Sequence, residues 1–277
     1  MRQFRLYNAT GESYDLNDLD FFFENPEGLG AVRATTYRQI GGRFVPQNDT
    51  LSQTPIKGQI GFKDPNAYDK YFSFMLFAAE RPLRLDYTPN NITYSIDCYM
   101  QVIEKTELDL RGLTCPVEFR PLSPFYRLLS SESSEGGSSD GKVYDYTYPY
   151  TYAESTPGTS VLESNTKEES PCRIIIFGPL INPRWTYYNN GVLKASGALT
   201  GSIPDGHRLV ISTMNIPYSI EEQDPTGNVI RDLYGSADFE TERFVHFQKG
   251  TNRVSIGHEG TNTPRLIVEA RLYYDSV

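Results

Sequence analysis

Residues 130–141 read SSESSEGGSSDG, twelve positions without one apolar side chain, and this run constrains the fold more than any other stretch. Such a segment cannot bury enough surface to offset the entropy of ordering it, so it reads as a tether or surface loop. Before it, Leu113, Cys115, Val117 and Phe119 alternate with the period of a strand that has one buried face. After it comes the tyrosine-dense run KVYDYTYPYTY. The pattern predicts a first domain over 1–129, a tether over 130–143 and a second domain over 144–277. A chain of 277 residues is long enough to give each domain its own core.

Within the first domain, residues 2–7 and 12–16 read as short strands around a turn at 9–11. The Phe-rich piece LDFFFENPEGLG is broken by Pro26, Gly28 and Gly30, which predicts a loop. Residues 37–45 read as a hairpin, since Gly41 and Gly42 supply the positive φ of a tight turn. A strand is expected over 55–62. The one clear helix runs over 64–80, with Asp64 as its cap, Pro65 at its first position and Pro82 beyond its end. Its residues are apolar on nearly every side, which predicts a helix buried or shared with a neighbouring subunit. Tyr71, Phe72, Met75 and Leu76 are its candidate core or subunit-interface residues. Ile92, Tyr94, Ile96, Cys98, Met100 and Val102 alternate without a break and mark a further strand.

Beyond the tether every signal is β. RIIIF (173–177) reads as a strand buried on both faces, and Asn190-Gly191 as the turn of a hairpin. Turns then recur about every ten residues, the rhythm of an antiparallel sandwich. Cys98, Cys115 and Cys172 are an odd number without metal-site spacing, so buried free thiols in a reducing compartment are expected.

The sequence carries few marks of chemistry. The net charge is −9 and no stretch gathers Lys and Arg, which argues against nucleic-acid contact. No apolar run is long enough for membrane insertion, and the N-terminus has no signal-peptide core. Phosphate-cradling loops, dinucleotide fingerprints and hydrolase motifs are absent from the sequence. Asp15, Asn17, Asp18 and Asp20 only sketch a calcium loop, with Leu19 in the way and no glutamate at the twelfth position. His207, His246 and His258 have no partner at ligand spacing. No catalytic residue, metal or cofactor is therefore assigned, and the chain is not expected to be an enzyme.

The aromatic clusters carry more weight, with 20 Tyr and 15 Phe in the chain. Tyr146, Tyr148 and Tyr150 alternate in the run after the tether, and Trp185, Tyr187 and Tyr188 share one hairpin arm. These six are candidates for a partner surface or a glycan platform. Packing or a protein interface is the more economical reading, since Tyr and Trp are enriched there.

At several motifs the sequence resembles the distal tail (Dit) proteins of long-tailed, siphovirus-type bacteriophages. They are YNATGESYDLND near the start, DKYFSFMLFAAERPLRLDY through the helix, CPVEFRPLSPFYR before the tether, and RIIIFGPLINPRWTYYNNG with IPDGHRLVIST after it. The resemblance implies a mainly β chain: an N-terminal β-sandwich-like belt domain with one helix, and a C-terminal galectin-like, jelly-roll type sandwich. It further implies a virion structural protein of the tail tip or baseplate, assembled in the host cytoplasm as a homohexameric ring. The implied partners are copies of itself, the tail tube protein, the tape measure protein, the tail-tip or tail-associated lysin protein and a receptor-binding protein. A carbohydrate-binding module recognising host cell-wall polysaccharide is the alternative.

Overall fold

A computed structural model describes residues 2–109, 112–133, 158–166, 169–238 and 244–277. The chain divides into two compact units, Met1–Arg127 with Tyr274–Val277, and Leu128–Tyr273.

In the N-terminal unit, strands β1 (Gln3–Tyr7) and β2 (Ser13–Asp15) join through a turn in which Asn8 Oδ1 accepts from the backbone N–H of Thr10 and Glu12. Next come β3 (Phe21–Glu27), β4 (Arg33–Ile40), β5 (Arg43–Leu51) and β6 (Ile56–Phe62). Helix α1 (Ala67–Ala79) precedes β7 (Leu83–Thr88), β8 (Tyr94–Ile103), β9 (Leu113–Pro121) and β10 (Phe125–Ser133). Seven strands form an antiparallel run in the order β2-β1-β7-β8-β9-β6-β3. Its two ends are tied by the Phe23 N–H donating to Leu16 O at 2.9 Å, so the sheet curls round one core. That core is aromatic: Phe4, Phe23, Phe62, Phe74 and Phe119 are fully buried and meet edge to face.

Three expectations are corrected here. Residues 21–27 are a strand and not a loop, because Phe21 and Phe23 pair with β6 while Asn25 and Pro26 are accommodated in a bulge. The helix starts at Ala67, and Asn66, in the left-handed conformation, occupies the cap position in place of Asp64. Asparagine tolerates that conformation better than most residues, and Asp64 and Pro65 precede it and lie outside the helix. Finally, β10 continues to Ser133, into the span where a tether was expected to begin; the rest of that span lies outside the described residues.

The C-terminal unit adds β11 (Thr159–Ser164), β12 (Ser170–Phe177), β13 (Leu180–Ile181), β14 (Arg184–Asn189) and β15 (Val192–Leu199). It continues with β16 (Ser202–Ile203), β17 (Arg208–Ser212), β18 (Ser219–Gln223) and β19 (Val229–Asp232). The last four strands are β20 (Ala237–Asp238), β21 (His246–Phe247), β22 (Gly250–Gly257) and β23 (Leu266–Tyr274). Two larger antiparallel sheets result, one ordered β19-β18-β17-β12-β23 and the other β11-β22-β14-β15-β20, and β13 pairs with β16 in a separate two-stranded ladder. Ile174, Ile175 and Ile176 are all buried, as a strand covered on both faces requires. The Asn190-Gly191 turn has φ of 49° and 81°, the primed geometry that lets β14 and β15 pair tightly.

The three cysteines are free and buried. Burial, with the nearby charge of Asp97, pushes the Cys98 thiol up to about 12, and burial alone does the same for Cys172. Neither ionises at neutral pH, so both behave as small apolar groups.

One buried charge is built into the C-terminal unit. Glu222 faces inward from β18, where His207 Nδ1 meets Oε1 at 2.6 Å and Arg231 Nε donates to Oε2 at 2.5 Å. Burial raises its pKa, but the hydrogen bonds from His207 and Arg231 outweigh burial and hold it below the usual 4.5. A carboxylate with a depressed folded pKa contributes stability above its unfolded pKa and loses it as pH falls through the folded one. The wild-type chain is therefore expected to lose stability steeply below pH 4.5, and Glu222→Gln to flatten that slope. Equal acid slopes in denaturant melts of the two proteins would remove Glu222 from this role.

Candidate assembly surfaces

Helix α1 packs Ala67, Tyr71, Phe74, Phe77 and Ala78 into the core, the three-and-four spacing of one helix face. On its other side Tyr68, Phe72 and Leu76 recur every four residues and form an apolar stripe in water. Phe72 is 59% exposed and Leu76 75%. The Lys105 ammonium sits 4.9 Å from the Tyr68 ring and caps one end of the stripe. Of the four helix residues singled out in the sequence, Tyr71 is thus core, Met75 is partly buried against the core, and Phe72 and Leu76 face solvent.

The second surface is the β4–β5 hairpin. Gly41 and Gly42, with φ of 54° and 77°, turn the chain between Ile40 and Arg43. The arm extends well beyond the expected 37–45, and nearly all of its side chains are exposed. Tyr37, Ile40, Phe44 and Val45 put apolar area near its tip, with Phe44 71% exposed. An isolated two-stranded ribbon with that much apolar surface is marginal in water. At its foot Arg33 Nε donates to Asp49 Oδ2 at 2.9 Å across the ladder.

The aromatic candidates of the second half fare differently. Trp185 and Tyr187 are 1% and 2% exposed, so neither offers the partner or glycan surface for which it was a candidate. Alternation in β14 turns these rings inward, where Tyr187 stacks on Phe247 at 5.5 Å and donates its hydroxyl to Asn252 at 2.6 Å. Tyr188 is half-buried with the Arg253 guanidinium 4.6 Å above its ring. Tyr146, Tyr148 and Tyr150 lie outside the described residues. Gly197 leaves room for Trp185, since a Cβ there would stand 2.3 Å from the indole. Gly197→Ala is expected to destabilise the chain by about 1–3 kcal/mol through overpacking, read from urea midpoints. An unchanged midpoint would mean that the indole shifts freely.

A different aromatic group is partly exposed instead, through Tyr218 and Tyr234. Tyr218 meets Phe244 and His246 edge to face at 5.0 and 5.4 Å, and Tyr234 lies parallel to Phe244. Sequence reasoning missed it because its members come from separate elements.

The acidic stretch near the N-terminus is internally used. Asn17 bonds the backbone of Phe4 and the carboxylate of Asp15, and Asp20 pairs with Lys70 at 2.7 Å. Among the described residues no group of three His, Cys, Asp or Glu is placed to hold a metal ion. Nor is any helix among them long and apolar enough to cross a membrane.

Residues 3–122, which hold both the helix stripe and the hairpin, match the family described as distal tail protein, N-terminal domain. This part of the chain is similar to the N-terminal domain of distal tail proteins. The fold of the whole chain agrees with that similarity. It is similar to a chain of the phage P2 baseplate in its activated conformation with calcium, at TM-score 0.70 and 16% identity over 100% of both chains. The distal tail protein of phage SPP1, described as a paradigm of the hub adsorption apparatus in phages infecting Gram-positive hosts, aligns at TM-score 0.60 and 9% identity. That alignment covers 96% of this chain and 98% of the other. No match is found among curated protein sequences.

Proposed function

We propose that this chain is the structural hub of a phage tail tip or baseplate, a homohexameric ring joining the tail tube to the tip and its receptor-binding machinery. The observation that carries the reading is the exposed apolar surface of the distal tail domain, on one helix stripe and on one hairpin arm. A ring gives each such surface a neighbour through one repeated head-to-tail contact and also pairs exposed strand edges. The tail tube and tape measure proteins would meet the ring on one side and the tail-tip or tail-associated lysin protein on the other. The C-terminal unit, as a galectin-like sandwich, would offer its outer surface to the receptor-binding protein. The particle's tail tip is the expected location, reached after assembly in the host cytoplasm. The role is geometric, and no residue is assigned to catalysis.

The glycan-binding alternative loses support, because two of its three described rings are buried. Negative-stain images of the purified chain test the hub reading. Closed rings with a central hole and six-fold averages are expected; featureless particles of single-chain size, with or without tail tube protein, would overturn it.

A further inference from the structure

Four residues that follow the C-terminal unit in the sequence belong to the N-terminal one. Strand β23 leaves the C-terminal unit at Tyr273, and Tyr274–Val277 join 1–127. Three contacts hold them there. The Tyr274 ring meets Tyr94 edge to face, with centroids 5.2 Å apart. Val277 packs against the aromatic core. Asp275 accepts from Arg33 Nη1 at 2.7 Å, the same arginine that bonds Asp49 across the foot of the hairpin. Tyr274 and Asp275 also wall a groove of about 300 Å³ with Val32, Leu51 and Gln53, all at or beside that foot.

We propose that Tyr274–Val277 form an assembly latch that fixes the foot of the β4–β5 arm. A two-stranded ribbon has little to set its direction except what grips its base. A lone exposed ion pair grips weakly. Here one short segment supplies the ion pair, a ring contact and a core contact together, so ordering the segment once secures all three. The consequence is an order of events. An N-terminal unit emerging during synthesis carries the apolar arm but lacks the latch until the whole C-terminal unit has followed it. Premature ring contacts between unfinished chains are thereby disfavoured, an inference that rests on the ring reading above.

Hydrogen exchange tests the latch in a Phe72→Asp/Leu76→Asp background, which keeps chains single so that ring loss cannot imitate a loosened arm. Three versions are compared: 277 residues, a chain ending at Tyr273, and Asp275→Asn. Exchange over 33–38 and 46–51 is expected to quicken about tenfold in the shortened chain and about threefold in Asp275→Asn, with 208–223 unchanged. Equal exchange of the arm in all three overturns the latch. If the shortened chain loses protection everywhere, Asp275→Asn decides alone, faster arm exchange supporting the latch and unchanged exchange overturning it. The mass of the unmutated chain is read separately: a loosened arm beside a permanently single chain keeps the latch and removes the ring.

Discussion

Phe74→Ala is expected to cost the N-terminal unit about 3–5 kcal/mol. Phe74 is fully buried on the inner face of α1. Its ring lies 5.5 Å from Tyr14, 5.6 Å from Phe62 and 6.0 Å from Phe77, so truncation opens a hole bounded by three other rings. Those neighbours come from β2, β6 and the helix itself, elements whose backbones are fixed by the curled sheet, and they collapse into the hole only in part. Phe74→Leu keeps most of the volume and is expected to cost under half as much. Equilibrium denaturation followed by near-UV circular dichroism checks the pair. A loss below about 1 kcal/mol for Phe74→Ala would show that the cluster is loosely packed.

The second large effect concerns assembly and leaves the fold intact. Phe72→Asp with Leu76→Asp is expected to abolish ring formation while shifting the unfolding midpoint little. Both side chains already stand mostly in water, so charging them gives up little packing beyond the edge-to-face contact of Phe72 with Tyr71 at 5.8 Å. In a subunit interface the same two carboxylates would be desolvated without partners, which costs several kcal/mol for each contact around a ring. Size-exclusion chromatography beside a thermal melt separates the cases. Rings that persist with both aspartates in place would take the helix stripe out of the interface.

Much of this division was open in the sequence and some was closed to it. The strands with strict alternation, such as Ile96, Cys98 and Met100, were legible because one face is buried and the other is not. The Gly41-Gly42 and Asn190-Gly191 turns were legible because few other residue pairs reach positive φ twice in succession. Strand β18 was not, since Glu222 occupies an inward position and breaks the apolar pattern that marks a strand. Its burial depends on His207 and Arg231, fifteen and nine residues away. Strand β3 was hidden by Pro26, which a bulge accommodates.

The candidate surfaces were legible only in part, for a similar reason. A helix apolar all round shows that it needs partners but not which partners are its own chain. Tyr71 and Phe72 are adjacent in sequence yet about 100° apart around the axis, and the sheet takes one and leaves the other. Trp185 and Tyr187 left a surface platform and inward packing both open, because aromatic residues on a hairpin arm serve either face. The inward turn of β14, with Gly197 making space, decided between them. The hairpin's length was missed because residues 46–51 have no apolar alternation; both faces of that strand are wet.

Light scattering on the purified chain across a concentration series, alone and with tail tube protein, tests the hub most directly. Six chains of 31.4 kDa give about 188 kDa, and a plateau there is the expected result. A chain that stays at 31.4 kDa under every one of these conditions contradicts it.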